Sequence, residues 1–149
     1  MRLKQVLTLD PKRPDPMETK SNDPTPQRPE PAAGRSLDAP LLVFDLPALL
    51  AQVRQEPAYR TSDRNTLTLF KTDGMRLVLL ALHAGAELKT HTAPGTISVQ
   101  VLDGRLTFRA AEQVTELAQG QLLTLHAGIP HSVLAVTEAA FLLTLAVAK

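Results

Sequence analysis

Four histidines, at positions 83, 91, 126 and 131, are the residues best suited to chemistry in this chain. His91 and His131 each stand singly between apolar runs of β character. An imidazole titrates near neutral pH, so it can move a proton, and its unprotonated nitrogen can hold a metal. A catalytic or exchangeable metal usually needs about three protein ligands and an open position. His91 and His131 supply two. His126, separated from His131 by the turn Ala127 to Pro130, is the third candidate, and Glu87, four residues before His91, is a weaker one. His83, just before the turn at Gly85, is expected to face solvent. Three uses of the pair are open: a metal centre holding Fe, Mn, Ni or Zn, two hydrogen-bonded imidazoles at the mouth of a cavity, or acid–base work without metal. For the last, no carboxylate is placed to orient either ring. The balance leans against an enzyme, with no cofactor as the first expectation and a divalent metal as the second.

Several function classes are excluded outright. The chain has no cysteine, so disulfides, zinc thiolates and cysteine nucleophiles are absent. It has no phosphate-cradling glycine loop, no GxSxG elbow and no HExxH pair. A formal net charge of +1, four phenylalanines, one tyrosine and no tryptophan give neither the field nor the stacking platform of a nucleic-acid binder. Arg105 and Arg109 share one face of a strand with Thr107 between them and read as a solvated outer face. No run approaches the roughly 18 apolar residues of a membrane span, and Val6 to Leu9 is too short for a signal core. The expected location is the cytoplasm.

The elements that position the histidines are mostly strands. From Thr66 onward the hydrophobic period is two, with tight-turn signals at Asp73-Gly74 and Asp103-Gly104. About eight strands follow: Thr66 to Lys71, Met75 to Leu82, Thr96 to Leu102, Arg105 to Arg109, Gln113 to Leu117, Gln121 to Leu125, His131 to Thr137 and Ala140 to Val147. Turns so closely spaced exclude parallel βαβ architecture and point to an all-β sandwich or barrel. Residues 45 to 56 read as one short helix, capped by Asp45, carrying Pro47 in its first turn and ended by Pro57. Leu46, Leu49, Leu50 and Val53 form its apolar stripe, expected against the barrel exterior or a partner subunit. Residues 1 to about 40 hold eight of the twelve prolines and few apolar residues, so they read as a disordered arm; Pro26 to Pro29 gives it one PxxP frame. The division is therefore an arm over 1–40, a helix and linker over 41–65, and a barrel over 66–149.

Two stretches resemble the paired motifs of the cupin family, small jelly-roll β-barrels. Gly85 to Gly104 reads GAELKTHTAPGTISVQVLDG, and Gly120 to Ala135 reads GQLLTLHAGIPHSVLA. Gly85, His91 and Gly104 match the first motif, while Ala93 and Ile97 replace its second histidine and its glutamate. Gly120, Gly128 and His131 match the second; His126 replaces its proline and Ala135 a frequent asparagine. The resemblance implies a single cupin barrel with two of four usual metal ligands missing. It also implies that Ile97 faces inward, and alternation then carries Val99, Val101, Val133 and Ala135 to the same face. A greasy cavity results, lined by His91, Ala93, Ile97, Val99, Val101, His131 and Val133, which suits a small organic ligand. Metal, if held, falls to His91, His131 and His126. Cupins often dimerise, so a homodimer is expected, and no nucleic acid or membrane partner. The competing expectations are a metal-dependent oxygenase or isomerase and a structural or sensing dimer module.

Overall fold

A computed structural model describes residues 36–147. The proline-rich arm, its PxxP frame and the last two residues lie outside the described residues. Among the described residues two short helices, α1 (Leu46–Gln55) and α2 (Pro57–Arg60), precede nine strands. The strands are β1 (Arg64–Lys71), β2 (Met75–Leu82), β3 (Glu87–His91), β4 (Thr96–Asp103), β5 (Arg105–Ala110), β6 (Gln113–Ala118), β7 (Leu122–Leu125), β8 (His131–Ala135) and β9 (Ala139–Ala146). The described chain divides into two compact units. One contains residues 52–66, the other residues 37–51 together with residues 67–147.

In the smaller unit the chain turns on a proline. Pro57 does end α1, but it also opens α2, where its fixed φ and missing N–H suit a first helical position. Asn65, 2 % exposed, fastens the turn: its Nδ2 donates to the Val53 carbonyl at 3.0 Å and to Glu56 Oε1 at 2.8 Å, and its Oδ1 accepts from the Thr66 N–H at 2.9 Å. Tyr59, on α2, is buried.

In the larger unit α1 starts as its sequence requires. The Asp45 carboxylate accepts from the Ala48 N–H at 3.1 Å, satisfying one of the helix's open donors. The strands form a five-stranded sheet in the order β1-β2-β9-β4-β7 and a four-stranded sheet in the order β3-β8-β5-β6. Every strand ladder with a defined register in these sheets is antiparallel. The alternate residues Leu80 and Leu82 of β2, Ile97, Val99 and Val101 of β4, Leu106 and Phe108 of β5 and Phe141 of β9 join one apolar core. Leu79 and Ala81, on the other face of β2, are also fully buried, which is why that strand is apolar at nearly every position.

One strand goes beyond the expected eight. β3 has the exposure pattern of an edge strand, with only Leu88 half-buried, so it carries no alternation for the sequence to display. It is nevertheless the strand that bears His91.

Candidate functional site

Strand direction decides which side chains meet at each end of the barrel. The connections β2–β3, β4–β5, β6–β7 and β8–β9 lie at one end. At the other lie the loop 92–95 between β3 and β4, the turn Ala111-Glu112 and the loop 126–130 between β7 and β8. At this second end the ladders define two inward-facing rows. Across the four-stranded sheet His91 pairs with His131, His131 with Ala110, and Ala110 with Gln113. Across the five-stranded sheet Arg76 pairs with Leu145, Leu145 with Ile97, and Ile97 with Leu125. The mouth is therefore polar on the β3–β8 side and mostly apolar on the facing sheet.

The two imidazoles are in contact. Their ring centroids lie 4.3 Å apart with the planes tilted by 59°. His131 is 5 % exposed and stacks on Phe108, centroids 5.4 Å apart and planes within 10°. His91 is exposed. Each ring is tied to its own chain in the same way: His91 Nδ1 lies 2.6 Å from the Lys89 carbonyl, and His131 Nδ1 lies 2.9 Å from the Ile129 carbonyl. A carbonyl oxygen can only accept, so both Nδ1 atoms carry the proton and donate. Each Nε2 is left as an acceptor, and neither has a hydrogen-bond partner among the described residues. Burial holds the His131 imidazole below its ordinary 6.5; the Ile129 hydrogen bond opposes this, and the charge of His91 when protonated adds to it.

The remaining residues fall into two groups. Ala93 is half-buried and packs on the core, while Ile97, Val99, Val101 and Val133 point inward at 1–3 % exposure. A side chain lining a hollow wide enough for water would keep accessible area, so these four are packed against neighbours. His126 is not brought to the pair. It lies in the loop after β7, is exposed, and does not group with His91 and His131. Among the described residues no three His, Cys, Asp or Glu side chains are grouped so as to hold a metal ion. Where the cupin motif has its other two ligands stand Ala93 and Ile97, which have no donor atom, so the residues present do not fit a three-ligand metal centre. Glu87 is exposed at the far end of β3. Phe108 was not singled out from the sequence, although the alternation of Leu106 and Phe108 with Arg105 and Arg109 carries the signal. Arg105 is exposed as expected and pairs with Glu116 at 3.1 Å.

No protein-family model and no curated protein matches the sequence. Solved structures do match. A conserved protein of unknown function from Streptococcus pyogenes is 27 % identical, with 58 % of this chain and 75 % of that one covered at a TM-score of 0.56. A cupin 2 conserved barrel domain protein from Leptotrichia buccalis is 30 % identical over 56 % of this chain and 40 % of that one, TM-score 0.54. A cupin-2 domain containing protein from Shewanella frigidimarina covers 70 % of this chain and 94 % of its own at 14 % identity, TM-score 0.56. Further neighbours are cupin superfamily and RmlC-like cupin proteins. No helix among the described residues is long and apolar enough to cross a membrane.

Proposed function

We propose that this chain, whose barrel is the jelly roll of the cupin superfamily, binds a small organic molecule at the barrel mouth. His91 and His131 give the polar contacts. Ala93, half-buried, gives the apolar contact, with Ile97, Val99, Val101 and Val133 packed in the core behind it. The observation that carries this reading is the half-used state of the histidine pair. Each ring spends Nδ1 on a neighbouring carbonyl, which leaves Nε2 as the nitrogen it can offer to a ligand. An apolar wall with a few convergent polar groups is the common form of a small-molecule site. The reading takes the protein as cytoplasmic, without a resident metal, and as a homodimer; light scattering on the full chain giving the monomer mass would remove the dimer.

A thermal-shift panel of small organic molecules on the full chain tests the site. A ligand specific for the folded state at a hundred times its Kd adds about 2.7 kcal/mol of stability. At least one compound is expected to raise the melting temperature of the native chain and not of His91→Ala. A broad panel in which nothing does so overturns the reading and leaves the structural or sensing module in its place.

A further inference from the structure

We infer that the ligand of this mouth is a hydrogen-bond donor, specifically a molecule carrying adjacent hydroxyl groups, because both imidazoles present only lone pairs to it. The inference rests on the binding site proposed above and adds its chemistry. Two backbone carbonyls set the state of the rings. Lys89 and Ile129 stand in the same relation to their histidines, two residues earlier in the chain, and each carbonyl meets Nδ1 at hydrogen-bonding distance. Neither oxygen has a proton to give, so the neutral ring is fixed as the Nδ1–H tautomer and Nε2 is an acceptor.

The pair is matched, since both rings are locked the same way. His91 and His131 are directly opposed in the β3–β8 ladder with their rings 4.3 Å apart. Two rings in contact can each engage a donor on one small molecule. A ligand group that only accepts, such as an ether or ketone oxygen, meets lone pair against lone pair and leaves the buried His131 without a partner for Nε2, the costly case for a buried polar group. A hydroxyl donates and fits. Phe108 holds the plane of the deeper ring by stacking on it, and a flip of that ring would give up the hydrogen bond from Nδ1 to the Ile129 carbonyl. Gln113, on the same inward row two strands from His131, adds a carboxamide that can either donate or accept to a further hydroxyl.

The experiment is long-range proton–nitrogen NMR on the ¹⁵N-labelled full chain at pH 8, well above the ordinary imidazole pKa of about 6.5. The free protein is expected to show His91 and His131 as Nδ1–H tautomers. Cis-1,2-cyclohexanediol and its dimethyl ether are then added as matched probes with the same skeleton. The diol is expected to move both Nε2 resonances at a concentration at least tenfold below any effect of the ether. An Nε2–H tautomer at either ring, or equal response to both probes, overturns the hydroxyl assignment while leaving small-molecule binding intact. Near-stoichiometric metal in the purified untagged chain, bound through Nε2, also overturns it. The expected tautomers with neither probe moving either ring, and no compound active in the thermal panel, overturn the binding site itself and the ligand class with it.

Discussion

His91 and His131 face each other as direct Cα partners in the β3–β8 ladder, one exposed and the other 5 % exposed. One ladder step thus places two chemically identical groups in unlike surroundings. The inner ring, stacked on Phe108, loses hydration when charged, which lowers its pKa.

That depression makes stability depend on pH with a definite sign. His131 binds its proton more weakly folded than unfolded, so the unfolded state carries more protons in the window below the ordinary 6.5. Stability is therefore complete above that value and is lost as pH falls from it to the lowered folded pKa, below which the loss levels off. Urea midpoints of the full chain are expected to decline from pH 7.5 to pH 5, and those of His131→Leu to decline less over the same interval. Equal slopes in the two proteins would refute the assignment.

His91 tests function without disturbing the fold. Its ring is exposed and contributes one local hydrogen bond, so His91→Ala is expected to change stability by no more than about 0.5 kcal/mol, the ordinary range for a surface site. The same variant is expected to lose ligand-induced stabilisation. A variant that melts several degrees lower with no ligand present would make His91 a structural residue.

The fold was readable where one face of a strand is apolar and the other polar, as in β4 with its buried Ile97, Val99 and Val101. It was not readable in β3, whose residues are almost all exposed, because an edge strand held by backbone hydrogen bonds needs no hydrophobic face. The same limit applies to the site. Glycine spacing gave His91 and His131, but their mutual contact depends on register, which neither strand encodes alone. His126 falls in the loop after β7, where no strand alternation fixes a side chain's direction. The inward direction of Val99 and Val101 was legible; how tightly they pack was not, since filling depends on side chains from five or more strands at once.

Asn65 exemplifies a residue whose importance only the structure reveals. It has no motif around it, yet it is buried and makes hydrogen bonds to Val53, Glu56 and Thr66. Asn65→Ala leaves the Val53 carbonyl without that donor and is expected to cost about 1–3 kcal/mol. Asn65→Asp is expected to cost more at neutral pH than at pH 4, because a carboxylate would replace the donor facing both the Val53 carbonyl and the Glu56 carboxylate. Denaturant titrations at the two pH values check this; an aspartate variant no worse than alanine at neutral pH would rule out the repulsion.

The motif glycines are not equivalent, and two alanine substitutions separate their roles. Gly104 and Gly120 both have positive φ, +78° and +90°. At Gly120 an added Cβ meets nothing within 4 Å, so only backbone strain remains, about 1–2 kcal/mol. At Gly104 the Cβ collides with the Glu138 carbonyl oxygen and comes within 2.8 Å of Thr137 Oγ1 and 2.9 Å of Ala139 Cα. The threonine cannot easily yield, because its hydroxyl accepts from the Arg105 N–H at 3.1 Å and donates to the Glu138 carbonyl at 2.8 Å. Crowding therefore adds to the strain, and Gly104→Ala is expected to cost roughly 3 kcal/mol or more. Thermal or urea unfolding of the two variants side by side decides the point. Equal losses would mean that β4, β5 and the start of β9 are not pressed together at this corner, and that the glycine is required for its backbone angle alone.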